Sequence, residues 1–312
     1  MKLKLLGAIL SATLGSGAMA AAISLPAGPL YFQFTNLEQT ALGLSSSGAP
    51  LNNTSTCSGC SGSAEGNWGV AQVSVMRAGS VNPSGATSGM VGNDINNLGT
   101  PPFFSDQLLP AGAQVTAMFY GSTVLSNTVS GTVNNLKSTG GFIDLYWDDA
   151  TLANTIVNIS TLTPGMRTSD STFTGVTDGK FLGRLAFASG INIGDGSVTV
   201  QGTINTALAN NSGSADSYAN VVDVNGDGVI DALDGLWAAQ LNSDWFGTVF
   251  GTRDLRFSNK IDNNPDWNGV GGVTGQTSND PGRAFIVPEP ASLALVSLGL
   301  LGLGALRRRR EE

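Results

Sequence analysis

The chain is 312 residues long, enough for one or two domains with a sizeable core. Only 12% of it is charged, Gly reaches 42, and the formal net charge is −8. Such an acidic chain repels nucleic acid, and with no His at all it can assemble neither a Ser-His-Asp nor a Cys-His catalytic set. Low charge with recurring apolar clusters argues for a packed core, and abundant Gly, Ser and Asn suit short strands joined by turns.

Residues 1–20 read as a signal peptide. Lys2 and Lys4 form a basic start, Leu5 to Leu14 a short apolar run, and Ala18-Met19-Ala20 an A-x-A cleavage site. Ala21 and Ala22 permit cleavage slightly later, and the run is too short for a first transmembrane helix. Without Lys2, Lys4, Arg307 to Arg310, Glu311 and Glu312, the central chain is more acidic still. Such a surface favours cations or neutral polymers.

Cys57 and Cys60 enclose a two-residue Ser-Gly loop. In an exported chain this pattern predicts a small local disulfide. A thioredoxin-like site needs a preceding strand and a following helix, and zinc needs further Cys or His partners that the chain lacks.

Period-2 alternation then recurs. Val73 and Val75 oppose Gln72 and Ser74; Val115, Ala117 and Phe119 oppose Gln114 and Thr116. Ile143, Leu145 and Trp147 oppose Asp144; Phe181, Leu185 and Phe187 oppose Arg184; Val198 and Val200 oppose Ser197, Thr199 and Gln201. Half-buried antiparallel strands have this pattern, and the turns between them predict a mainly β body over 23–215, built as a β-sandwich or jelly roll. No phosphate loop, dinucleotide fingerprint or repeated loop is present.

Asp144, Asp148 and Asp149 flank Trp147 and offer a carboxylate pair of the kind that hydrolyses glycosides. A strand ending in a polar turn explains them more simply. Trp68, Trp147, Trp237, Trp245 and Trp267 serve either as core or as sugar-stacking platforms, so a carbohydrate-active enzyme or carbohydrate-binding module is the alternative reading.

Within residues 216–286, the stretch Asp223 to Asp234 has oxygen donors at the spacing of a calcium loop. Asp223, Asn225 and Asp227 fill the first, third and fifth places, Gly228 the turn, and Val229 offers its carbonyl. Asp231 follows, and Asp234 takes the twelfth place, one methylene shorter than the usual Glu. Ile230 pins the loop, and a short amphipathic helix continues from it. The loop resembles those of dockerin modules, which implies one structural Ca²⁺ site. Dockerins pair two loops, and the second candidate (Asp262, Asn264, Asp266) has Trp267 where Gly is wanted. The cohesin-binding role of dockerins is therefore not carried over.

Residues 287–312 close the chain. Ala291 to Leu306 would span about 24 Å as a helix, short for a hydrocarbon core of about 30 Å. Arg307, Arg308, Arg309 and Arg310 orient that segment with its end in the cytoplasm. Pro288-Glu289-Pro290, an apolar helix and an Arg cluster, in that order, resemble the PEP-CTERM sorting signal of Gram-negative bacteria. The resemblance implies export, transient inner-membrane retention through the C-terminal helix, and processing by an exosortase near Pro-Glu-Pro. It further implies a place in the cell envelope or extracellular matrix, in association with exopolysaccharide. The expectation is a non-enzymatic surface or matrix protein supporting adhesion, biofilm or floc formation.

Overall fold

The computed structural model describes residues 25–26, 30–62, 64–78, 102–105, 113–148, 158–207, 210 and 212–286. The predicted signal peptide, the sorting segment and Asp149 lie outside the described residues. In chain order the strands are β1 (Leu30–Ala41), β2 (Asn67–Ala78), β3 (Pro102–Ser105), β4 (Gln114–Ser130) and β5 (Val133–Asp148). After them come β6 (Arg167–Ser169), β7 (Thr172–Phe173), β8 (Lys180–Ala188), β9 (Val200–Asn205) and β10 (Gly213–Val221). A single helical turn, α1 (Ala238–Leu241), precedes β11 (Phe246–Thr248), β12 (Gly251–Arg253), β13 (Leu255–Asn263) and β14 (Val273–Ile286).

All the long strands are antiparallel. β1 pairs with β2, β2 with β4, and β4 with β5. β5 pairs with both β8 and β9, each of these pairs with β10, and β10 pairs with β13. β13 then pairs with β14, which returns to β1. The sheet thus closes on itself in up-and-down order, with β8 and β9 end to end in one stave and β3 beside the far half of β2. The strands expected from alternation are present, but they form one closed sheet in place of two facing ones. A barrel and a sandwich demand the same inward–outward alternation, so the period alone does not separate them. Closure removes the exposed edges that a sandwich must protect.

Two staves depart from their expected phase. In β2 a register shift opposite Gln33 and Phe34 leaves Val73 and Met76 on the core face and turns Val75 off it. A register shift between Leu145 and Tyr146, opposite Gly183, turns Phe181 away from the Leu185–Phe187 face. Its ring packs on Tyr146 at 5.8 Å, while Leu182 enters the main core. A β-bulge moves a side chain across the sheet in this way.

The main core fills one end of the barrel with Leu30, Val115, Trp147, Leu182, Leu255 and Ile286, and Trp237, Ala238 and Leu241 join it from the β10–β13 connection. Val124, Leu136, Ile204 and Ile261 form a smaller cluster towards the opposite end. A separate cluster lies against the outer wall, where Trp68, Phe173 and Trp267 meet with centroids 5.6 to 6.3 Å apart. The stretch predicted as a calcium-loop region, 216–286, begins inside β10 and supplies β13 and β14, so the one closed sheet runs through both parts of the chain.

Candidate functional site

The loop Asp223–Asp234 leaves β10 and is curled around its own polar side chains. Asp223 accepts from Gly226 N and Gly228 N, both at 2.7 Å; Asn225 Oδ1 accepts from Asp227 N, and Asp227 Oδ1 from Val229 N. Asp231 Oδ1 accepts from Leu233 N at 2.7 Å. Asp234 is fully buried and gathers three amides, those of Val224, Asn225 and Asp231. These bonds, that from Asn225 foremost, hold its carboxyl below the usual carboxylate range. Gly226 and Gly228 take φ of 76° and 88°, which side chains would disfavour. Among the described residues, no group of three or more His, Cys, Asp or Glu side chains is gathered to hold a metal ion.

The loop is fastened to the barrel on both sides. Trp237 N donates to Leu182 O, and a Cβ on Gly235 would come within 2.5 Å of that carbonyl. Asp254 accepts from Val221 N, Ser243 N and Asp244 N, tying the loop's exit to the end of β10. Burial pushes the Asp254 carboxyl up. Nothing in its sequence neighbourhood marks it, because its partners are backbone amides distant along the chain.

The second calcium candidate has other duties. Asn264 Oδ1 accepts from Asp266 N and caps a turn over Pro265–Trp267, while Asp262 accepts from Ser212 Oγ. Trp267 is buried, its indole N–H bonded to Leu162 O at 3.0 Å.

Asp144 and Asp148 are both buried. Arg184 grips Asp144 with a two-pronged contact at 2.7 and 2.8 Å, and Tyr120 Oη adds a third bond at 3.0 Å. Burial and the Asp144 charge raise the neighbouring Tyr120, and Tyr146 is pushed up to about 12. Asp144 is thereby held as an ion-paired strut of the β5–β8 wall. Of the five tryptophans, four are buried, and Trp245 at 41% exposure stands apart. Cys57 and Cys60 are disulfide-bonded, with Cα atoms 5.2 Å apart.

The interior of the barrel carries a group that alternation did not reveal. Along β1 the inward side chains are Phe32, Phe34, Asn36, Glu38 and Thr40, so the series turns from aromatic to polar halfway. Glu38 is buried and accepts from Asn36 Nδ2 at 2.9 Å, with further bonds from Asn67 and Thr40. Burial outweighs these bonds and pushes its carboxyl up to about 7. Asn36 in turn receives Asn259 Nδ2 at 2.9 Å and Ser278 Oγ.

Residues 287–310 match the family model of the PEP-CTERM protein-sorting motif. The chain is an exported protein of the kind an exosortase sorts. The PEP-CTERM segment ties it to the cell envelope, and it starts one residue beyond β14. No helix among the described residues is long and apolar enough to cross a membrane. No curated protein and no solved structure matches the chain.

Proposed function

We propose that this protein is a non-enzymatic component of the bacterial surface or extracellular matrix, supporting exopolysaccharide-associated adhesion, biofilm or floc formation. The sorting motif over 287–310 carries this reading, since it marks delivery to the envelope. An acidic body and a closed barrel whose tryptophans are mostly buried support a structural role over a sugar-stacking one.

Calcium is proposed as the structural cofactor of the 223–234 loop. The donor set is all oxygen, which suits a hard cation, and the φ of 88° at Gly228 gives the sharp turn such a loop needs. Asp223, Asn225, Asp227 and Asp231 would hold the ion by side chain, Val229 by its carbonyl, and Asp234 would close the ring. The ion would supply a fixed positive centre among these carboxylates, in place of the amides that they now bind.

Calcium titration of the purified body, with chelator as the reference, tests the cofactor. The melting temperature should rise with Ca²⁺, and Asp227→Ala should abolish the rise. A flat titration, or a variant that responds like wild type, sinks the assignment. Delivery is tested by fractionating an exosortase-deficient strain against its parent: the protein should lose its surface or matrix location. An unchanged distribution refutes the functional reading.

A further inference from the structure

The main core fills one end of the barrel and leaves space beyond it. A cavity of about 140 Å³ lies in the lumen, bounded by strands from every side of the ring. Phe34, Phe119, Phe187 and Phe257 all face it, yet each is only partly buried, while the outward-facing Met118 and Ser258 beside two of them are buried. Inward aromatic residues more accessible than their outward neighbours mark unfilled space.

Three of these rings are held flat against the wall by glycine. A Cβ at Gly282 would come within 2.3 Å of the Phe34 ring, one at Gly69 within 2.5 Å of Phe119, and one at Gly141 within 2.8 Å of Phe187. Gly282 and Gly69 are the register partners of Phe34 and Phe119. Without a side chain opposite, each ring lies along the strand backbone and leaves the centre free.

A polar band crosses one side of this space. It runs from Asn259 through Asn36 to Glu38, then past Asn67 to its register partner Ser122. Both ends of the band have an unused atom: Asn259 Oδ1 and Ser122 Oγ are buried without a hydrogen-bond partner. Ser122 is 2% exposed and lines the cavity. Buried polar atoms left unmatched carry a cost that a ligand or water relieves. Among the described residues, none lining the cavity is Lys or Arg; of its two carboxylates Asp216 is paired with Arg256 at 2.8 Å, so an anionic ligand would meet Glu38 without a compensating charge.

We propose that the lumen binds a small uncharged ring compound bearing one hydroxyl, its ring among the four phenylalanines and its hydroxyl on the Asn259–Ser122 band. The size follows from the space, since an engineered apolar cavity of about 150 Å³ accepts benzene. A hydroxyl both donates and accepts, so it satisfies an amide oxygen or a serine hydroxyl equally. The lumen is independent of the calcium loop, and its occupancy does not depend on where the protein is delivered.

Calorimetric titration of the purified exported protein with 4-methylphenol, toluene and tetramethylammonium tests the proposal. The phenol should bind saturably at one site, about tenfold or more tighter than toluene, and tetramethylammonium should not bind. Ala117→Leu and Ala215→Leu, each filling the lumen, should weaken the phenol by about tenfold in whichever variant keeps cooperative unfolding. Absence of saturable phenol binding, as for a lumen holding only water, overturns the proposal. So do equal affinity for toluene, preference for the quaternary ammonium, or a folded filled variant that binds undiminished.

Discussion

Glu65 and Glu38 are both buried glutamates, at 3% and 6% exposure, on opposite sides of the barrel wall. Outside, Arg167 meets Glu65 with both terminal nitrogens, at 2.8 and 3.2 Å, while its guanidinium lies 4.4 Å from the centre of the Trp68 ring. Gly121 N and Ser55 Oγ add further donors to Glu65. Inside, Glu38 has amides and a hydroxyl, and its carboxyl rises to about 7. A guanidinium offsets the desolvation of a carboxylate; neutral donors only reduce it. The outer site is therefore a closed structural joint, and the inner one is a polar group kept beside empty space.

Breaking the joint tests this contrast most severely. Arg167→Ala leaves Glu65 buried with its charge uncompensated, and unfolding stability at neutral pH should fall by about 3–5 kcal/mol. Denaturant titration reads it, and a loss below about 1 kcal/mol would show that the pair is not the keystone of the outer cluster.

The inner site should show itself through pH. A carboxyl raised from 4.5 to about 7 keeps its proton longer in the folded state. Stability from this group is therefore greatest below pH 4.5, declines as pH rises towards 7, and levels off above that. The decline amounts to about 3 kcal/mol. Glu38→Gln should remove that slope, so the variant gains on wild type between pH 5 and pH 8. Parallel stability profiles for the two proteins would refute the assignment.

A smaller effect separates wall from lumen. Gly282→Ala drives a methyl group into the Phe34 ring and should cost about 1–3 kcal/mol, because the ring must leave the wall for the cavity. Combined with Phe34→Leu, the cost should largely vanish. If the double variant is no better than the single one, the ring is not what the glycine accommodates.

The alternation of β2, β4, β5, β8 and β9 was legible over most of their length, because Val, Leu, Ile and Phe recur at second places; the bulges that turn Val75 and Phe181 off the core face were not. β14 was not: Val273–Ile286 includes Gly275, Asn279, Asp280, Pro281 and Gly282, residue types that favour turns over strands. Its place is dictated by two neighbours far away in sequence, and local propensity has no access to that. The donor spacing of the 223–234 loop was plain, since ligands close in sequence need no knowledge of the fold. Glu38 was hidden for the opposite reason. A charged residue in a strand reads as outward, and only closure of the sheet shows that the polar half of β1 faces in.

The seam of the barrel joins its first and last strands. Leu30 pairs with Ile286, and Asn36 bonds across the same seam to Thr277 and Ser278. No local hairpin can form this contact, so ring closure waits for nearly the whole chain and carries the kinetic penalty of a very long loop. The sorting segment starts at the residue after that seam. Whatever grips the tail during export also holds one side of that long-range pairing, which makes maturation of the address and completion of the fold mechanically adjacent events.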